Sequence, residues 1–302
     1  MRAVVGGIGR ACITVGILIL LFVGYQLWGT GIYEARAQDD LRNEFDAQLE
    51  AAASTTTTAP GATTTTVPGT PPSSAAGTTA ISPPPPAEGD PVGIIRIPKI
   101  GLDRVVVEGT SVPDLRMGPG HYPGTPLPGQ LGNSAIAGHR TTYGAPFNRL
   151  DELEAGDLIE LETVQGKFKY KVTEQQVVSP SQTEVLDPTP NAATLTLTTC
   201  NPKYSAAQRL VVKAELKLKD DEQPLPPAEG SGEATDLGLS GSRESRVPVV
   251  LWGLLTAIVG GVWWLAFHRY SRWPAWIAGL LPFLVVLFVF YVYLERMLPS
   301  NY

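Results

Sequence analysis

Cysteine is nearly absent: two residues in 302, Cys12 and Cys200. That excludes a disulfide framework and a four-cysteine zinc site. Histidine is almost as scarce, with three residues. No HExxH pair and no acidic loop of the EF-hand kind occurs, so no resident metal or other cofactor is expected, although Ca²⁺ held by scattered acids stays open. Charged residues are only 17% of the chain, against roughly 25% for soluble domains. The formal net charge is −6, which argues against a nucleic-acid partner, whose footprint is a basic patch. What is plentiful is segregated. Three apolar runs hold the excess hydrophobicity, and one Thr/Pro tract holds much of the proline. A single soluble globule does not fit this pattern.

Ala11 to Trp28 carries no formal charge. At 1.5 Å per residue its roughly 18 residues just cross a hydrocarbon core. A cleaved signal peptide would need a small-residue site soon after the run, and the nearest match, Ala35-Arg36-Ala37, lies well beyond it. An uncleaved anchor within residues 1–29 is therefore expected. Residues 247–267 and 274–294 form two further apolar runs, with Trp252, Trp273 and Trp276 near their ends, as interfacial aromatics often are. The short loop between them holds His268, Arg269 and Arg272, which favours the cytoplasm. Three spans then place residues 30–246 and the C-terminal tail outside. The expected localisation is a multi-pass membrane protein with an extracellular catalytic domain.

The outer segment divides by composition. Residues 30–91 begin polar, with Leu41, Phe45 and Leu49 at four-residue spacing, which predicts a helix leaving the membrane. They then turn to Thr, Pro, Ala, Gly and Ser, a tract that cannot bury a core and reads as a stalk. Residues 220–246 read as a linker. Between them, residues 92–219 hold short β-type runs split by Gly/Pro turns: 92–97, 105–108, 134–137, 158–163, 168–178, 194–199 and 210–218. Seven strands in this length predict a small sandwich or barrel.

Chemistry concentrates at strand ends. Cys200 closes the alternating run Thr194-Leu195-Thr196-Leu197-Thr198-Thr199, and Asn201-Pro202 stops it. A lone cysteine often packs as a small hydrophobe, but a strand end presents a side chain to a loop-lined cleft. His139 follows the strand 134–137 and Gly138, whereas His121 sits in the turn-rich segment 118–124. Either can partner Cys200, and strand-end placement favours His139. Arg209 opens the next strand, nine residues on. An antiparallel return would bring it beside Cys200, where a guanidinium steadies a thiolate or an oxyanion.

Thr196-Leu197-Thr198-Thr199-Cys200 resembles the TLxTC signature of sortases. Ala137-Gly138-His139-Arg140 is similar to their histidine segment, and Gln208 to Val212 to their arginine strand. The phrases at 118–125, 137–147 and 198–209 most resemble class E sortases of actinobacteria. The resemblance covers residues 92–219 and the N-terminal anchor; the two C-terminal runs depart from it. It implies a mostly β fold, an eight-stranded sortase-type barrel, here with transmembrane helices at both ends. It implies a cysteine transpeptidase that cuts a Leu-Ala-x-Thr-Gly or Leu-Pro-x-Thr-Gly sorting signal between Thr and Gly. The acyl group would pass through a Cys200 thioester to a cell-wall amine. By position, Cys200 is the nucleophile, His139 the acid/base and Arg209 the electrostatic stabiliser. Thr199, Tyr204, His121 and Tyr122 are the expected signal-binding residues. The implied partners are surface proteins bearing the signal and a peptidoglycan precursor amine at the membrane. The rival readings are a pilus-assembling sortase and a non-enzymatic display module. An L,D-transpeptidase fits poorly, because Asn201 rather than Arg follows Cys200.

Overall fold

The period-two alternation read at 194–199 recurs around a closed ring of strands. The computed structural model describes residues 2–56, 86–218, 223–227, 247–270 and 273–297; most of the expected stalk and linker lies outside them. Eight strands form the ring: β1 (Pro91–Ile97), β2 (Leu102–Glu108), β3 (Gly120–His121), β4 (Gly132–Ala137), β5 (Leu158–Thr163), β6 (Gly166–Val178), β7 (Ala193–Asn201) and β8 (Gln208–Leu216). Their order is β1-β2-β3-β4-β7-β8-β6-β5, and β5 closes onto β1. The pairs β2–β3 and β4–β7 are parallel; the others are antiparallel. Seven of these strands match the expected runs within a few residues. The eighth, β3, is too short to leave a periodic signal, and it places His121 in a strand rather than a turn.

Inward positions fill the barrel with Ile95, Ile97, Ile136, Leu161, Tyr170, Leu195, Leu197 and Val212. Each such aliphatic side chain contributes about 1.5–3 kcal/mol on burial. Tyr170 needs a partner for its hydroxyl there, and Gly129 N–H donates to it at 2.7 Å. Gly93 marks where β1 crosses β5: a Cβ would run into the Glu162 carbonyl.

The polar helix expected to leave a membrane lies instead along the barrel. Helix α1 (Arg2–Gly24) runs through a π-helical turn, Tyr25–Gly29, into α2 (Thr30–Thr56). The four-residue stripe of α2 lies on the barrel, where Leu41 and Phe45 are buried with Ile94, Val105 and Val107, and Leu49 packs at the edge. The backbone explains the docking. With β3 only two residues long, β2 pairs it only at Val107 and Glu108, leaving the Val105 amide groups at an open edge. Such groups need partners. Gln38 supplies them: its Oε1 accepts Val105 N–H at 2.7 Å and its Nε2 donates to Val105 O at 3.0 Å. The same Nε2 donates to Met117 O at 2.8 Å, at the end of the short helix α3 (Val112–Met117). The expected linker also touches the barrel, since Leu131 N–H donates to Leu225 O at 2.8 Å.

Two apolar helices end the chain, α4 (Val247–Tyr270) and α5 (Trp273–Met297). Among the described residues one helical stretch, Val247–Ala266, is long and apolar enough to cross a membrane, by length and composition. The apolar stretches Ile13–Gly24 and Gly279–Leu294 are shorter.

Candidate active site

One outer face of the barrel collects the three motifs. On β7, Leu195 and Leu197 point into the core, so Thr194, Thr196, Thr198 and Cys200 point out. On β8, Leu210 and Val212 point in, so Arg209 and Val211 point out. The antiparallel register sets Cys200 directly opposite Arg209. On β4, Ile136 points in and Ala135 and Ala137 point out; His139 continues that parity two residues past the strand. Parallel pairing aligns Ala137 with Thr198. Two bonds extend the pairing beyond the strand end: Gly138 N–H donates to Thr198 O at 3.1 Å, and the Thr199 hydroxyl donates to Gly138 O at 2.7 Å. Residues 61 and 70 positions apart from His139 in sequence, Cys200 and Arg209, thus share one end of one face with it.

Cys200 is 1% exposed and carries a thiol rather than a disulfide. Burial pushes its thiol up, while the charges of Arg209 and then Arg140 pull it back down. Arg209 is buried, and its Nη1 donates to Ala206 O and Gln208 O, both at 3.1 Å, tying it to the β7–β8 loop. His139 is buried too. Its Nδ1 meets the Thr142 hydroxyl at 3.4 Å, and its ring lies 5.1 Å from that of Tyr143.

Arg140 is the residue the sequence did not disclose. It is 2% exposed. Its Nη1 donates to Cys200 O at 3.0 Å and its Nε to Asn148 O at 3.3 Å, and its Nη2 pairs with Asp151 at 3.1 Å. A second buried cation therefore holds the backbone of Cys200. Its place in the Gly138-His139-Arg140 motif was the only hint, because burial of an arginine leaves no periodic mark.

The four residues expected to bind a signal fall in different places. Tyr204 is 77% exposed on the loop between β7 and β8. Thr199 is buried and spent on Gly138. His121 is buried: its Nδ1 meets Glu108 at 2.8 Å, and its Nε2 meets Pro126 O at 3.1 Å and the Thr125 hydroxyl at 3.0 Å. Its ring therefore faces the protein on both sides and offers no open pocket wall. Tyr122 is buried under the 179–192 loop, with its hydroxyl 3.2 Å from that of Thr198. Farther along the same outer face lies a cavity of about 370 Å³, lined in part by Asn133, Thr194, Thr196, Glu184, Asp187 and Lys213. Among the described residues no cluster of three metal-ligating side chains occurs.

The sortase domain model matches residues 95–217, the barrel itself. Sortase SrtE1 of Streptomyces coelicolor is 33% identical over 68% of this chain, and the chain spans 55% of that relative's length. Sortase SrtE2 of the same organism is 30% identical over 74% of this chain and 86% of its own length. A Clostridium perfringens sortase D5 structure is 29% identical, covering 62% of this chain and 99% of that one, with a TM-score of 0.46. The sortase domain match falls on the barrel, and the 30% identity to SrtE2 over 86% of that relative's length shows that this chain belongs to the sortase family.

Proposed function

We propose that this chain is a membrane-held cysteine transpeptidase that cuts a sorting signal between Thr and Gly and passes the Thr carbonyl to a cell-wall amine. The observation that carries the reading is the pairing of Cys200 with Arg209 across β7 and β8, with His139 delivered beside them by β4. In the competent form Cys200 is a thiolate and His139 an imidazolium. The thiolate attacks the Thr carbonyl carbon, and Arg209 stabilises the oxyanion that forms. Arg209 suits this because a guanidinium keeps its charge. Collapse breaks the Thr–Gly bond as His139 gives its proton to the leaving Gly amine, and a thioester remains. Neutral His139 then takes a proton from the incoming amine as it attacks, and Cys200 leaves as thiolate.

The cavity beside Thr194 and Thr196 is set apart from Cys200 by Tyr122 and the 179–192 loop, which cover Thr198 between them. Tyr204 stands at the other side of Cys200 and contacts the residues nearest the cut. The class E resemblance favours Leu-Ala-x-Thr-Gly over Leu-Pro-x-Thr-Gly. The substrates are surface proteins with such a C-terminal signal.

The same reading places α1, α4 and α5 in the membrane, the barrel outside and residues 268–272 in the cytoplasm. Contacts among the three helices support it. Phe22 and Tyr25 pack on Tyr291 and Phe288, with ring centroids 5.1 and 5.5 Å apart. Trp252 stacks on Tyr293 at 6.1 Å. The ends of all three helices that adjoin the outer segment thus lie at one level, as N-in topology with an outer tail requires.

The test uses the full chain in detergent micelles with Leu-Ala-x-Thr-Gly and Leu-Pro-x-Thr-Gly peptides, read by mass spectrometry. A covalent adduct on Cys200 and a cut between Thr and Gly, both absent in Cys200→Ala, are the expected results. A folded wild-type chain that forms no adduct with either peptide would refute the reading.

A further inference from the structure

The loop that carries His139 is held in a conformation it would not adopt alone. Tyr143 and Ala145 take φ of +48° and +46°, the left-handed region that side chains disfavour. Such backbone persists only where its surroundings over-determine it. The surroundings come from the start of α2. Thr30 is buried, and its hydroxyl oxygen accepts Tyr143 N–H at 3.3 Å while donating its own proton to Gln26 O at 2.7 Å. Tyr33 sets its ring edge-on to Tyr143, at 6.2 Å and 82°. The buried Glu34 carboxylate, paired with Arg104 at 2.7 Å, lies so close to Gly144 that a Cβ there would collide with it. Above, the Arg116 guanidinium covers the Tyr143 ring at 5.5 Å. The Tyr143 ring in turn packs against the His139 imidazole at 5.1 Å.

We infer that Thr30 and Tyr33 are positioning residues for His139, acting through Tyr143, and that the first turns of α2 are part of the active-site support. The inference rests on the acid/base role of His139 given above. Thr30 follows directly on the π-helical turn that ends the apolar helix. The helix that anchors the chain is therefore also the strut of its acid/base, and the His139 end of the barrel faces the membrane. A tilt of α2 against the barrel moves the His139 loop. An imidazole displaced by about 1 Å can lose up to a hundredfold in rate. The docking of α2 through Gln38, Leu41 and Phe45 explains why the strut is rigid rather than a loose tether.

The experiment compares the full chain in micelles with Thr30→Val, Tyr33→Ala and the double variant. None of these changes a group that touches Cys200, Arg209 or His139. The double variant is expected to lose between about tenfold and a hundredfold in kcat with KM within about twofold. Thr30→Ser and Tyr33→Phe, which keep the acceptor and the ring, should recover most of it. A second readout is independent of activity. In histidine-labelled protein, the His139 ring resonance, assigned through His139→Gln, should move in the double variant while that of His121, bonded to Glu108, stays as a control for folding. An unmoved His139 resonance overturns the inference, and so does a moved one with unchanged kcat. Absence of signal cleavage by the wild type would instead refute the transpeptidase reading, and the resonance alone would then decide the positioning role.

Discussion

Replacing Arg209 with Gln isolates the charge that faces the thiol. Opposed residues on antiparallel strands keep their Cβ atoms about 5 Å apart. Side chains reaching outward from there place a thiolate and a guanidinium roughly 6–8 Å apart, an attraction of about 2–3 kcal/mol at an effective dielectric of about 20. Cys200 and Arg209 are both buried, so salt screens this little. Loss of the cation lowers the thiolate population at neutral pH by about 30- to 100-fold at 1.36 kcal/mol per decade. The more basic thiolate is also the better nucleophile, which returns roughly half of that on a logarithmic scale. The net expectation is a reaction with a small aromatic disulfide about tenfold slower at pH 7. The assay is the rate of Cys200 modification by mass spectrometry in the full chain, from pH 6 to pH 11. The deficit should stay constant below the pH at which the wild-type thiol ionises and shrink above it, as the wild type saturates first. Arg209→Lys, which keeps a charge, should fall between the two. Equal rates at pH 7, or a deficit that persists undiminished after the wild-type rate has levelled off, would refute the electrostatic account; a persistent deficit would mean that access, not charge, had changed.

In the wild type, the Cys200 modification rate should keep climbing above the pH range where an ordinary thiol levels off, because burial outweighs both arginines. The folded state then holds that proton more tightly than the unfolded chain. Its contribution to stability is complete below the ordinary thiol range and is lost as pH rises through the folded value; thermal unfolding at pH 7 and pH 10 should show the wild type losing stability relative to Cys200→Ser at the higher pH. Arg140→Met leaves the Cys200 and Asn148 carbonyls without their donor. At about 1–3 kcal/mol per buried group, it should speed hydrogen exchange in residues 193–201 before other strands. Phe45→Ala empties a fully buried site between α2 and the barrel. A loss of about 3–5 kcal/mol should free α2 and open Arg36 and Arg42 to trypsin, as limited proteolysis would show.

Much of the barrel was legible because its code is local. Period-two alternation depends only on neighbouring residues, so β5 was read to the residue and β7 with its Cys200 end nearly so. The order of the three motifs was legible too, through their likeness to sortases. The short strand β3 was not, because two residues carry no period, and so His121 and Tyr122 passed for an open loop. Their burial on Glu108 and beneath the 179–192 loop depends on strands far away in sequence. The helix stripe Leu41, Phe45 and Leu49 was visible as a stripe, but its partner was not. An amphipathic face states that something covers it, not what.

Sequence alone determined which residues alternate, where the turns fall, which stretches are apolar, and that one thiol, one imidazole and one guanidinium stand at strand ends. Each of these follows from local backbone periodicity or from composition. Tertiary structure decided the rest. Closure of the ring chose the register that sets Cys200 against Arg209 and beside His139. The open edge of β2 drew Gln38 and with it α2. That docking brought Thr30 and Tyr33 onto the loop of His139, and buried Arg140 under Cys200. These are contacts between segments tens of residues apart, fixed by the need to pair buried polar groups and fill one core, and no local pattern encodes them.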